Sequence, residues 1–129
     1  MEGNVVAAVP RQKGTRELCE RMMQEIAVTR DKVCQDPKCS DAATVGHHIF
    51  RRNKLSTAFE PDNLVGLCVV HHGRAHSNPA FFKKQMIDRL GEKRYYELRR
   101  QSNETAKNID YDETYQFLWK VLHAWKHAG

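Results

Sequence analysis

No run of apolar residues in this sequence approaches the roughly 18 that a membrane-spanning helix requires. The start, MEGNVVAAVPRQKG, lacks a basic stretch followed by a long apolar run, so we expect no secretory signal peptide. Cysteine is scarce, with only four in 129 residues. Without a secretory signal we expect a protein of the reducing cytoplasm, where cysteines bind metal more often than they form disulfides.

The length allows one modest core, so we predict a single domain over 1–129. Apolar residues at a spacing of four predict an N-terminal helix over 14–32. Short apolar runs between prolines and glycines predict strands at 44–50 and 64–69, joined by a shaped polar loop and followed by a short helix at 70–77. The remainder, 79–129, is predicted to be helical, with a break at Gly91 and with one apolar face on the last helix formed by Leu118, Val121, Leu122 and Trp125. The sequence therefore predicts an α+β fold.

Positive charge is concentrated in one segment of the chain. The net charge is +5, and residues 79–102 carry seven Lys and Arg against three Asp and Glu. Such a segment suits a polyanion such as DNA, although a solvated helix face would look the same. The candidate contacts to the DNA backbone are Arg51, Arg52, Lys54, Arg74, Lys83 and Lys84, with Arg94, Arg99 and Arg100 extending the footprint.

Two short-spaced pairs of metal-binding residues predict a zinc site. Cys34 and Cys39 stand in CQDPKC, and Cys68 and His71 stand in CVVH. Pairs of this kind, about thirty residues apart, supply the four ligands of a tetrahedral structural zinc. Three cysteines buried as small hydrophobic residues are the alternative. The fourth cysteine, Cys19, falls beside the apolar stripe of the first helix and is expected in the core.

Five of the seven histidines lie within the 30 residues 47–76. His72 and His76 are four apart, so on a helix they share one face and can bind one ion. His47 would complete an open site of three imidazoles. His48 is a candidate general base, and Asn63 would orient that imidazole or the loop carrying it. Because adjacent strand residues point to opposite faces, His47 and His48 can serve one site only if the strand is irregular or the metal lies at its end.

The order GHHIF…DNLVGLCVVHHGRAH resembles the HNH endonuclease family, whose ββα-metal core would occupy residues 34–78. The resemblance implies that His48 is the general base, that Asn63 is the motif asparagine, and that the catalytic metal is held by His47, His72 and His76. The spacing is similar to that of the colicin-type nucleases. The second zinc pair carries a histidine where cysteine is usual in the family, so the roles of His71 and His72 could be exchanged. The overall layout is also similar to small phage recombination nucleases.

This resemblance implies a metal-dependent DNA endonuclease that hydrolyses phosphodiester bonds. The expected cofactors are a structural Zn²⁺ and a catalytic divalent ion, for which three imidazoles favour Mn²⁺, Ni²⁺, Zn²⁺ or Co²⁺ over Mg²⁺. Duplex or branched DNA is the expected partner, with a homodimer or phage DNA-processing proteins as further partners and the host cytoplasm as the location of a phage protein. The alternatives are a non-catalytic zinc module that binds nucleic acid and an enzyme acting on RNA.

Overall fold

The computed structural model describes residues 13–106 and 108–128 of the chain. In chain order the elements are α1 (Arg16–Asp31), β1 (Val45–His48), α2 (Leu55–Ala58), a 3₁₀ turn (Pro61–Asn63), β2 (Leu64–Leu67), α3 (Val69–Ser77), α4 (Pro79–Leu90), α5 (Glu92–Ser102) and α6 (Tyr111–Lys126). None of these helices is long and apolar enough to cross a membrane. Helices and one small antiparallel sheet combine in an α+β fold, as the sequence predicts.

Helices α1 and α6 pack against each other and form the larger core. Thr15 caps α1 by accepting a hydrogen bond from the Leu18 amide at 3.1 Å, and Asp110 caps α6 in the same way through Glu113. The buried side chains of this core are Cys19, Met22, Met23, Ile26 and Ala27 from α1, Leu64 from β2, and Tyr115, Leu118, Trp119 and Leu122 from α6. Burying a large apolar side chain contributes about 1.5–3 kcal/mol to folding. The packing of α1 against α6 therefore stabilises the position of β2, which contributes Leu64 to the same core.

The two strands form an antiparallel pair whose register places each histidine on a defined face. The paired residues are Val45 and Leu67, Gly46 and Gly66, His47 and Val65, and His48 and Leu64. Leu64 belongs to the α1–α6 core, whereas Val65 belongs to a second core on the other face. Because side chains alternate along a strand, His48 lies on the α1 side of the sheet and His47 on the opposite side.

The second core joins the sheet to α3, α4 and α5. Its buried members are Cys34, Val65, Leu67, Cys68, Ala75, Phe82, Met86 and Tyr95. Two of these are predicted zinc ligands, so the predicted metal site is part of a packed interior. Cys19 lies in the other core and is fully buried, which confirms that it is a packing residue.

Two parts of the fold differ from the sequence prediction. The strands are shorter than predicted. The connection between them contains α2 and the 3₁₀ turn, in which local hydrogen bonds satisfy backbone groups. Trp125, which the spacing placed on the core face of the last helix, is 43% exposed. The residues of α6 in the core end at Leu122, so Trp125 lies one turn beyond them. The predicted break at Gly91 is confirmed by its φ of 83°.

Candidate metal centres and the histidine cleft

A tight turn brings the first two cysteines together. The Cys39 amide donates to the Asp36 carbonyl at 3.0 Å, and the Lys38 amide donates to the Asp36 carboxylate at 3.0 Å. Pro37 stands second in this turn, where its fixed φ is favourable. The turn lies between Val33 and Ala42, which form a short antiparallel bridge. The bridge holds the chain before the turn beside the chain after it.

The second pair is set by the start of α3. Cys68 caps this helix, and its Sγ accepts from the His71 amide at 3.4 Å and lies 3.2 Å from His71 Nδ1. Cys39 Sγ is 4.0 Å from Cys68 Sγ, and the ligand atoms of Cys34, Cys39, Cys68 and His71 all lie within 4.8 Å of one another. Sulfur atoms bound tetrahedrally to zinc at 2.3 Å would be roughly 3.8 Å apart. This Cys₃His cluster is therefore consistent with a structural zinc.

Neighbouring groups act on two members of the cluster, Cys68 and His71. The hydrogen bond from the His71 amide, followed by that with the His71 ring, lowers the pKa of the Cys68 thiol to about 7. On the far side of the ring, His71 Nε2 is 3.6 Å from the Asp36 carboxylate, which accepts a hydrogen bond from Gln85 at 2.9 Å. A carboxylate on this side of a histidine ring favours the proton on Nε2, which leaves Nδ1 for a metal.

A second cluster unites His47 of β1 with His72 and His76 of α3. One ligand nitrogen from each ring lies within 4.8 Å of the other two, and Nε2 of His72 is 3.1 Å from Nε2 of His76. Two imidazole nitrogens bound tetrahedrally to one ion would be roughly 3.3 Å apart. His47 also packs edge-on against Phe82, with ring centroids 5.0 Å apart. The three rings therefore converge as ligands of one ion would, and His71 takes no part in this cluster.

Burial and neighbouring rings favour the neutral forms of two members of this second cluster, His47 and His72. Burial, and then the nearby rings of His72 and His76, lower the pKa of His47 to about 4. Burial followed by the charge of His76 also lowers the pKa of His72. Only neutral imidazoles have lone pairs available for a metal, so the lowered pKa values of His47 and His72 favour cation binding by these two rings at neutral pH. His76 is exposed, so the cluster is open to solvent on one side.

His48 occupies the other face of the sheet and yet reaches the same cleft, because β1 ends at this residue. Its Nε2 lies 2.9 Å from the carbonyl oxygen of Ala58. A carbonyl can only accept, so Nε2 carries the proton and Nδ1 of the neutral ring keeps its lone pair. Burial, and then the charge of Arg52, lower the pKa of His48, while the hydrogen bond to Ala58 acts in the opposite direction.

The three-histidine cluster on one face of β1 and His48 on the other open into one cleft of about 870 Å³. Its lining residues are Glu17, Glu20, Arg21 and Gln24 of α1, Val45, Gly46, His47 and His48 of β1, Arg51, Arg52, His72 and His76. The strand end thus presents His47 and His48 to a common space, one of the two possibilities that the sequence left open. The α1 residues were missed in the sequence because they look like the polar face of an amphipathic helix.

Among the predicted DNA contacts, Arg51 and Arg52 line this cleft. Arg74 lines a separate cavity beside His71, and the Lys83 ammonium lies 5.9 Å above the ring of Tyr96. Lys54 and Lys84 are exposed, Lys54 immediately before α2 and Lys84 within α4.

Arg94 is engaged elsewhere. Its guanidinium bonds Asp62 at 2.9 Å and lies 3.5 Å from a Glu60 oxygen and 3.8 Å from a Glu97 oxygen. The basic segment is therefore divided between surface side chains and the ion-pair network of Arg94.

Asn63 is fully buried behind the cleft. Its amide nitrogen donates to the carbonyls of Phe50 and Thr57, both at 3.0 Å, and its oxygen accepts from the Phe50 amide at 2.8 Å. The residue thus holds the loop that follows β1 and does not contact the imidazole of His48 through these bonds. Of the two roles considered from the sequence, the geometry corresponds to holding the loop.

No model of a known protein family matches this sequence, and no curated protein and no solved structure matches it. The two clusters and the cleft are therefore the features that bear on function.

Proposed function

We propose that this protein is a metal-dependent DNA endonuclease of the HNH type. The observation that carries the proposal is the convergence of His47, His72 and His76 beside His48 in one open cleft. A structural cluster has no use for a further histidine with a free ring nitrogen at the same opening. The order of these residues along the chain also resembles the HNH family, in which a histidine-bearing strand, an asparagine and a histidine-bearing helix build the ββα-metal core.

The three histidines would hold the catalytic ion, and the Cys₃His cluster would hold zinc. Neutral imidazoles suit Mn²⁺, Ni²⁺, Zn²⁺ or Co²⁺ better than Mg²⁺, which prefers oxygen ligands. A divalent ion bound there supplies positive charge for the scissile phosphate and for the departing 3′ oxygen. The exposure of His76 leaves room for phosphate and water on the open side of the cluster.

The protein's own residues would act as the general base, hold the loop next to that base and bind the DNA. His48 accepts the proton of the attacking water at Nδ1, since Nε2 is occupied by the Ala58 carbonyl. Attack in line with the 3′ oxygen leaves a 5′-phosphate. Asn63 keeps the loop from Phe50 to Thr57 in place, and that loop leads directly to Ala58.

The DNA backbone would enter along the basic side of the cleft. Arg51 and Arg52 lie in the cleft wall next to His48 and provide the central phosphate contacts. Lys54, Arg74, Lys83 and Lys84 extend the surface outward as a group. Phosphate contacts of this kind fix register but carry little sequence information, so we propose duplex or branched DNA as the substrate class without base-specific recognition. A homodimer and phage DNA-processing proteins remain proposed partners.

The deciding experiment compares DNA cleavage and DNA affinity in His48→Ala, the wild type and His123→Ala. His123 is the control because its ring stacks on Trp119, at 3.6 Å between centroids, and does not line the cleft. Plasmid relaxation is measured with Mn²⁺, Ni²⁺, Zn²⁺, Co²⁺ and Mg²⁺, and affinity is measured at the same salt concentration.

Loss of a general base costs on the order of 10²–10⁴ in rate, whereas affinity should change little because phosphate contacts dominate it. Equal cleavage by His48→Ala and wild type would show that His48 is not the base. A wild type that binds DNA yet cleaves no substrate with any of these ions would instead indicate a non-catalytic zinc module. Cleavage of RNA alone would reassign the substrate.

A further inference from the structure

Helix α1 lies unusually close to the sheet at one glycine pair. Gly46 and Gly66 face each other across the two strands, on the side that α1 covers. A Cβ added to Gly46 would lie 2.9 Å from the Ala27 Cβ, and one added to Gly66 would lie 3.1 Å from the Ala27 carbonyl oxygen. Only glycine permits this close approach. The approach places the polar side chains that flank Ala27 on α1 against the backbones of the two strands.

The backbone groups of both glycines point away from the partner strand, and α1 and its extension satisfy them. The Gly46 amide donates to Gln24 Oε1 at 2.8 Å, and Gln24 Nε2 donates back to the Gly46 carbonyl at 2.9 Å. On the other strand, the Gly66 amide donates to Asp31 at 2.7 Å and its carbonyl accepts from the Gln35 amide at 3.0 Å. The side-chain amide of Gln24 therefore takes the place of a third strand along β1.

We propose that Gln24 is a positioning residue for the metal site of His47, His72 and His76; this inference rests on the proposed function. Gln24 bonds both peptide groups that flank the Gly46 Cα, and the second of these is the peptide that leads into His47. The orientation of that peptide sets the direction in which the His47 side chain leaves the strand. Glycine has no side chain to restrain it, so the restraint comes from α1.

The proposal predicts a selective loss of metal affinity. Gln24→Met keeps the length of the side chain but removes both hydrogen bonds, and the Gly46 amide and carbonyl then lose their partners. Loss of an outer partner of a metal site typically weakens binding by about 10- to 100-fold. The Cys₃His cluster does not involve this part of β1, so its zinc should remain bound.

The test is a Co²⁺ titration of the protein with zinc already in the cysteine site. Zinc is silent in the visible spectrum, so the absorption bands report Co²⁺ bound by the histidines, and the absence of sulfur-to-cobalt charge transfer verifies that zinc stays in place. The titration contains no DNA, which separates positioning of His47 from any direct contact of Gln24 with the substrate in the cleft.

Gln101→Met is the matched control, since Gln101 Nε2 also donates to a backbone carbonyl, that of Ser56, at 3.1 Å. His47→Ala is the reference for a lost ligand. We expect Gln24→Met to bind Co²⁺ about 10- to 100-fold more weakly, with altered bands, and Gln101→Met to match the wild type. Wild-type affinity and spectrum in Gln24→Met, with binding lost in His47→Ala, would overturn the positioning role alone.

If His47→Ala also binds Co²⁺ as the wild type does, the three-histidine site itself is wrong, and the proposed function fails together with this inference. If Gln24→Met does not fold, Gln24→Glu replaces it in the same titration. Glutamate keeps the acceptor for the Gly46 amide but sets an oxygen against the Gly46 carbonyl, so a smaller loss of affinity is expected. Unchanged binding in Gln24→Glu overturns the proposal.

Discussion

Asn63 and Phe50 are joined by two reciprocal hydrogen bonds, one from each residue to the other. The Asn63 side chain accepts from the Phe50 amide at 2.8 Å and donates to the Phe50 carbonyl at 3.0 Å. The Asn63 amide nitrogen also donates to the Thr57 carbonyl. Thr57 directly precedes Ala58, whose carbonyl contacts His48 Nε2. One buried side chain thus closes the loop that orients the candidate base.

Replacing Asn63 by alanine should therefore destabilise the fold as well as reduce cleavage. The change leaves the half-buried amide and carbonyl of Phe50 without these partners, at about 1–3 kcal/mol for each, whereas the Thr57 carbonyl still accepts from the Glu60 amide. We expect Asn63→Ala to lower the free energy of unfolding of the zinc-loaded protein by about 2–4 kcal/mol in urea. The exposed Asn103→Ala should remain within about 0.5 kcal/mol of wild type. A loss below 1 kcal/mol in Asn63→Ala would contradict the role of Asn63 in closing the loop.

Cys34→Ser and Cys68→Ser should lose both zinc and the folded state. A closed site of four ligands binds zinc with an apparent free energy of about 10–16 kcal/mol in small domains, more than a protein of this size has in reserve. We expect about one zinc per chain in the wild type by elemental analysis, and little in either variant. Cys19→Ser is the control, because Cys19 lies in the α1–α6 core. A folded, zinc-free Cys34→Ser/Cys68→Ser protein would refute the structural zinc.

Arg51 and Arg52 should determine the salt dependence of DNA binding more than Arg94 does. Each phosphate contact contributes a slope of about −0.9 in a plot of log affinity against log salt. Removing both Arg51 and Arg52 should thus reduce the magnitude of that slope by about 2. Arg94→Ala is the control, since its guanidinium is bound to Asp62 and its acidic neighbours. The titrations use the His48→Ala background so that the DNA stays intact. Equal slopes in all three proteins would exclude the two arginines from the interface.

Asp31 should stabilise the fold at neutral pH and lose this effect in acid. Burial by itself raises the pKa of Asp31, but the hydrogen bond and charge of Arg30, the Gly66 amide and Arg89 lower it overall below its ordinary value of 3.8. A carboxylate with a lowered pKa in the folded state contributes stability above the unfolded pKa and loses it as the pH falls through the folded pKa.

Asp31→Asn should therefore reduce the free energy of unfolding by roughly 1–3 kcal/mol at pH 7. The difference from wild type should hold from about pH 8 to pH 5 and shrink only below about pH 4. Zinc binding also weakens in acid, so both proteins are measured in urea at saturating zinc, and the difference between them reports Asp31. Asp88→Asn, exposed on α4, is the control. A difference that has already vanished at pH 5 would contradict the lowered pKa.

Pairs of candidate ligands that are close in sequence could be predicted because local chain geometry fixes their distances. Cys34 and Cys39 meet across one turn, and His72 and His76 meet across one turn of α3. These distances depend on backbone dihedral angles within a few residues. The alternation of side chains along a strand likewise showed that His47 and His48 point to opposite faces, whatever the fold around them.

Tertiary structure decided which histidine joined which cluster. His71 turned toward the cysteines and His72 toward His47, a choice that depends on how α3 lies against the sheet. The roles of Gln24 and Asp31 were equally hidden, because a polar residue on a helix looks solvated until the strand that it contacts is placed beside it. Sequence spacing fixes contacts within one turn or strand. Contacts between distant segments follow from core packing, which here brings α1 onto the glycines beside the three-histidine cluster.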